Sequence, residues 1–125
     1  MDYEQIRAEI ADHGFGRTNE TKKLEEFEYT NGQVIYLYKE QVLKEGVQIM
    51  IHPHLGLQLF VGMPGIDANA KFPLRSGSNM RHFPKRQSET TIHPISYGRS
   101  MQAANLGALG NLLDVVARLP ATTEA

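Results

Sequence analysis

The sequence contains no cysteine. This removes disulfides, thiolate metal sites and thiol nucleophiles, and makes an intracellular setting the expectation. No apolar run approaches the roughly 18 residues that a membrane-spanning helix needs, so no membrane association is expected. Met1-Asp2-Tyr3-Glu4 opens acidic with no apolar segment behind it, which argues against a secretory signal and for a cytoplasmic location. Gly-x-Ser-x-Gly, His-Glu-x-x-His and the GxxxxGK[ST] phosphate loop are all missing. Gly62-Met63-Pro64-Gly65 lacks both the lysine and the following helix of a phosphate cradle. Asp67 and Lys71 resemble a nuclease acid–lysine pair, but without the second nearby carboxylate that a metal-dependent cutter requires. These absences favour a non-enzymatic protein with no cofactor.

What is present is ordinary in bulk and uneven in detail. The chain has 125 residues, 41% apolar and 22% charged, close to the globular average. That length suits one domain, expected over residues 1–120 with a frayed tail at 121–125. Net charge is −1, yet residues 1–70 carry six basic and eleven acidic side chains, net −5. Residues 71–100 carry six basic side chains against Glu89 alone, net +5. Such asymmetry marks either a binding face for phosphates or acidic surfaces, or a solvated basic loop near an acidic strand.

Asp2-Tyr3-Glu4-Gln5 has the form of a capping box. Tyr3, Ile6 and Ile10 then make one apolar stripe, and Gly14 is a natural stop, so a helix is predicted over 3–13. Thr18 to Lys23 is polar and reads as a connection. Asn31-Gly32 between two apolar runs predicts a hairpin. Its second strand, Val34–Tyr38, alternates so that both faces have something to bury. Val47–His52 reads as a strand ended by Pro53, and Leu55–Val61 as a further short strand. From Gly62 to Gly98 no period survives, with one strand expected over Thr91–Tyr97. Leu106, Leu109, Leu113 and Val116 define a final helix ended by Pro120. Gly107 and Gly110 within it suggest close packing against the sheet. This order predicts an α+β fold, a central antiparallel sheet of four to five strands with N- and C-terminal helices packed on it.

Two groups of residues carry candidate chemistry. His52 and His54 share one side of an extended chain and, with His82 or His93 as a third, would offer imidazoles to a metal. No spacing matches a known zinc pattern, and surface or hydrogen-bonded histidines are the preferred reading, with no metal site assigned. Ser78-Asn79-Met80-Arg81-His82-Phe83-Pro84-Lys85-Arg86 sets three cations around an aromatic and a proline, a composition suited to phosphate contact and stacking. Arg81, Phe83, Lys85, Arg86 and Arg99 are the candidate binding residues. The competing reading has Met80 and Phe83 anchoring a long loop into the core while the cations stay solvated.

The Val34–Lys39 strand, Ile51-His52-Pro53, the Asn79–Arg86 segment, and Tyr97-Gly98 before a leucine-rich helix together resemble a small bacterial cytoplasmic family of the YgaC type. That family is uncharacterised and is grouped by fold with the N-terminal domain of the TfoX competence regulator. The resemblance covers roughly residues 30–118. It implies a two-layer fold like that of secretion chaperones, and carries no catalytic residues. The function expected first is an interaction domain for a protein partner, self-association through a sheet edge or helix included. One version is an inhibitor or immunity-like protein whose acidic part covers a basic partner. The alternative is phosphate or nucleic-acid binding through the basic loop. A histidine-dependent metal enzyme comes third.

Overall fold

The computed structural model describes residues 1–39, 41, 43–68, 74–77, 79–87 and 93–121. Lys71, the Thr91 and Ile92 end of the predicted late strand, and residues 122–125 of the tail lie outside them.

The first helix, α1 (Tyr3–Asp12), begins as its sequence dictates. Asp2 Oδ1 accepts from the Gln5 N–H at 2.9 Å, and Gln5 Oε1 accepts from the Asp2 N–H at 3.0 Å. Ile6 and Ile10 are fully buried. Gly14, at φ +90°, then turns the chain where an L side chain would be strained.

The first half of the polar segment expected to be a connection, Thr18–Glu20, is strand. Gly16–Glu20 forms β1, antiparallel to β2 (Leu24–Glu28), with a register shift between Arg17 and Asn19. An outermost strand with mostly exposed side chains needs no apolar alternation, because backbone pairing alone holds it. The Asn31-Gly32 hairpin joins β2 to β3 (Val34–Tyr38). Tyr29 N–H donates to Gln33 O at 2.8 Å and Gly32 N–H to Tyr29 O at 2.9 Å, so three residues lie between the last paired positions. Gly32 supplies the positive φ, +94°. Asn31 Nδ2 reaches Ala117 O and Leu119 O, each at 3.0 Å, tying this turn to the far end of the chain.

β4 (Val47–Ile51) pairs with β3. Where a strand is predicted over Leu55–Val61, the chain instead makes a single 3₁₀ turn at Leu57–Leu59. Phe60 is fully buried while Leu59 and Val61 are 44% and 59% exposed; the chain plugs one aromatic into the core and curls around it, so the alternation never meets a neighbouring strand. Ile66–Asp67 (β5), Leu74–Ser76 (β6) and Lys85–Arg86 (β7) are short strands, and Ile95–Ala103 (β8) is a long one. β8 pairs along β4 and also with β5, β6 and β7. The Tyr97 N–H donates to Pro84 O, whereas Ser96 O accepts from the Gly77 N–H. The Ser96 C=O and Tyr97 N–H belong to one trans peptide group and point to opposite edges of the strand, so β6 and β7 flank opposite sides of β8. The antiparallel sheet thus has eight strands, more than the four to five predicted, because three are pairings of two or three residues.

The second helix, α2 (Leu106–Arg118), is capped by Asn105 Oδ1, which accepts from the Ala108 N–H at 2.8 Å. Leu119 before Pro120 is extended at ψ 139°, as a residue preceding proline must be. Gly110 is not there for the sheet. A Cβ on it would meet His13 Nε2 at 2.7 Å, so it admits the last side chain of α1's exit. Both helices cover one face of the sheet, where Ile6, Ile10, Ile35, Leu37, Ile49, Met101, Leu109, Leu113 and others form the main core. The other face holds a smaller cluster of Leu24, Val34, Tyr36, Met50, Met80 and Phe83.

Candidate functional site

The smaller cluster contains the segment the sequence singled out. Met80 is fully buried and Phe83 is 4% exposed. Phe83 stands edge-on to Tyr36 at 4.9 Å between centroids and to His52 at 5.4 Å. It lies over Gly98, where a Cβ would come within 3.0 Å of the ring. The loop at 79–86 therefore closes the second face of the sheet with two apolar anchors.

Beside these anchors sits a buried carboxylate. β2 reads Leu-Glu-Glu-Phe-Glu, and the alternation of a strand sends Glu25 and Glu26 to opposite faces. Glu26 accepts from Thr18 Oγ1 at 2.7 Å, Tyr36 Oη at 2.9 Å, and Arg81 Nε and Nη2 at 3.1 and 3.0 Å. The His82 ring also approaches it at 3.6 Å. Burial alone would raise this carboxyl's pKa. The bonds from Arg81, Thr18 and Tyr36 outweigh it and hold the group below the ordinary carboxylate range. Burial also pushes the Tyr36 phenol up, further raised by Glu26, although the His82 N–H bond acts against this.

On the helix face Glu25 receives Arg7 Nε and Nη2 at 2.9 and 2.8 Å and Arg17 Nη1 at 3.0 Å. Its carboxyl is likewise lowered, burial being overcome by the two guanidiniums.

Of the five candidate binding residues, four have partners within the fold. Arg81 grips Glu26 and Phe83 is packed as above. Arg86 lies over the Tyr97 ring at 4.7 Å. Arg99 donates to Leu55 O at 3.0 Å and Pro53 O at 2.9 Å, and burial lowers its pKa. Lys85 is exposed.

Two of the histidines stay together, the His52 and His54 rings standing edge-on at 5.1 Å between centroids. His52 is buried, its Nδ1 accepting from the His54 N–H at 3.1 Å, and His54 Nε2 lies 3.4 Å from Tyr97 Oη. His82 faces Glu26 and His93 is exposed. Among the described residues no group of three His, Asp or Glu side chains could hold a metal ion.

A different set of residues converges. A cleft of about 250 Å³ is lined by Lys23, Tyr38, Gln41, Gln48 and Arg75. A second hollow of about 210 Å³ shares Lys23 and Tyr38 with it and adds Leu24, Ser76, Gly77 and Asn79. Lys23 precedes β2, Tyr38 ends β3 and Arg75 is the middle residue of β6, so three separate elements build the site. The Arg75 guanidinium lies over the Tyr38 ring at 6.0 Å. Gln41 is committed to the backbone, its Nε2 donating to Tyr38 O at 2.8 Å and its Oε1 accepting from the Gln48 N–H at 2.6 Å. Gln48 Nε2 donates to Ser100 Oγ at 2.6 Å. No carboxylate lines either hollow among the described residues. Sequence reading missed this site because its members are spread from 23 to 79 with no recurring spacing. Only the cation excess of the second half hinted at Arg75.

No family model matches the chain, and neither the curated proteins nor the solved structures contain a match.

Proposed function

We propose that this protein is a binding domain whose ligand carries an anionic group held between Lys23 and Arg75. One observation supports the reading above the others. Arg7, Arg17 and Arg81 are spent on buried carboxylates, whereas Lys23 and Arg75 flank Tyr38 in a hollow with no acidic wall among the described residues. Two cations brought together without a counter-charge repel each other, and an anion between them removes that cost. The partly closed setting makes the attraction stronger than on open surface.

This moves the alternative expected from sequence, phosphate binding, off the Arg81–Arg86 loop and onto β6 and the start of β2. The protein-partner reading drew on the −5/+5 charge division. Part of that division is absorbed inside the fold, where Arg81 neutralises Glu26, so it argues less for an external partner.

Titration with inorganic phosphate at low salt, followed by amide and side-chain NMR shifts, tests the proposal. Shifts should concentrate at Lys23, Tyr38 and Arg75, and binding should weaken as salt rises. Lys23→Ala and Arg75→Ala should each weaken it about tenfold or more, the scale of a lost charge-assisted hydrogen bond. Shifts absent from the cleft, or unchanged by both substitutions, would refute it.

A further inference from the structure

The cleft has two unlike halves, and their difference specifies a ligand. In the first, both cations face a wall whose amides are already bonded to the fold, since Gln41 and Gln48 hold Tyr38, one another and Ser100. The ligand there meets chiefly an ammonium and a guanidinium. In the second, Lys23 is the one cation among the described residues, Leu24 and Tyr38 form part of the lining, and Ser76 and Asn79 supply neutral polar groups. A head with two negative charges suits the first half. A body with an apolar face and hydroxyls at its rim suits the second.

Resting on the anion reading above, we infer that the ligand is a small phosphate monoester, its dianionic head between Lys23 and Arg75 and its single organic substituent over Leu24 and Tyr38. The monoester matches the formal charge of the pair, which a phosphodiester does not. One hollow with a single cation among the described residues adjoins the doubly charged one, so one substituent has a place. That hollow, about 210 Å³, is below the about 300–1,000 Å³ of sites for drug-sized ligands. It takes one ring or a short polyol, not a nucleoside chain. Gly77 contributes by what it lacks, since a Cβ there would stand 3.7 Å from Tyr38 Oη and 3.1 Å from Met80 Cε and occupy the second hollow.

Calorimetry of the full chain with inorganic phosphate, phenyl phosphate, ribose 5-phosphate, dimethyl phosphate, single-stranded RNA and a phosphotyrosine peptide tests this. A small monoester should bind about tenfold tighter than inorganic phosphate, and dimethyl phosphate at least about tenfold weaker than the monoester, on the scale of one charge-assisted contact. Monoester affinity should fall as pH drops below about 6, where the second phosphate proton returns. Gly77→Ala should erase the ester's advantage while leaving inorganic phosphate binding unchanged. Asn79→Ala, which adds no bulk near Met80, should weaken ribose 5-phosphate and not inorganic phosphate. Equal binding of dimethyl phosphate or RNA, tighter binding of the phosphopeptide than of every small ester, or an ester advantage surviving both substitutions overturns the inference. Binding of inorganic phosphate with no ester preference defeats it alone; failure of every anion to bind defeats the anion reading as well.

Discussion

The two faces of the sheet solve one problem differently. Each buries a glutamate from adjacent positions of β2, and each must neutralise it. On the helix face Glu25 is clamped by Arg7 of α1 and Arg17 of β1, beside a core built from two helices. On the other face Glu26 is held by one arginine and two hydroxyls, beneath a loop with two apolar anchors. Helical cover distributes its apolar contacts over many residues. Loop cover concentrates them in Met80 and Phe83, so the second face should open more readily and more locally. The second of the two hollows at Lys23 and Tyr38 lies at the start of that loop, where Gly77 and Asn79 line it.

The comparison is broken most forcefully by emptying each core. Leu109→Ala, on fully buried α2 packing, should cost about 2–5 kcal/mol and shift the whole denaturant transition. Phe83→Ala removes a comparable amount of buried surface, nominally about 3–5 kcal/mol. Much of its effect should appear as faster amide exchange confined to β7 and the 79–86 loop. If Phe83→Ala instead accelerated exchange in α1 and α2 equally, the faces would be one cooperative unit.

Acid sharpens the difference next. Both carboxyls have folded values below the ordinary 4.5. Each therefore contributes stability that is present above 4.5 and lost as pH falls through its lowered folded value. Glu26→Gln should cost about 1–3 kcal/mol at neutral pH, the range for hydrogen bonds to a charged group. It should also flatten the acid limb of the stability curve measured by urea unfolding between pH 6 and pH 2. An unchanged acid limb would show that Glu26 does not drive acid unfolding.

How much of this was legible follows the same division. The helix face was readable, because helices advertise themselves by period: Ile6 and Ile10 in α1 behind a capping box, Leu109, Leu113 and Val116 in α2 ahead of Pro120. The Asn31-Gly32 turn was readable because positive φ demands glycine. β1 was not, since an edge strand can be wholly polar. Leu55–Val61 was misleading, because alternation states what a strand could bury and not whether a neighbour exists to pair with it. The short strands β5, β6 and β7 owe their pairing to β8, a cause distant in sequence. The candidate site suffers the same way. Arg81 and Phe83 drew notice by local composition and proved to be packed into the fold, while Lys23, Tyr38 and Arg75 meet only through sheet register.

The smallest test concerns how the loop's far end is held. β7 is two residues long, and its Arg86 lies over Tyr97 at 4.7 Å. A cation over a ring at a partly exposed site contributes about 0.5–1 kcal/mol. Arg86→Ala should therefore lower global stability by no more than that. Because a two-residue strand has few other contacts, the same loss should raise amide exchange at Tyr97, whose N–H donates to Pro84 O. Arg86→Lys keeps the charge but not the flat guanidinium that stacks on a ring, so it should recover only part of the protection. Full recovery with lysine would mean that charge, not stacking, fastens this edge, and that the loop face is held by electrostatics throughout.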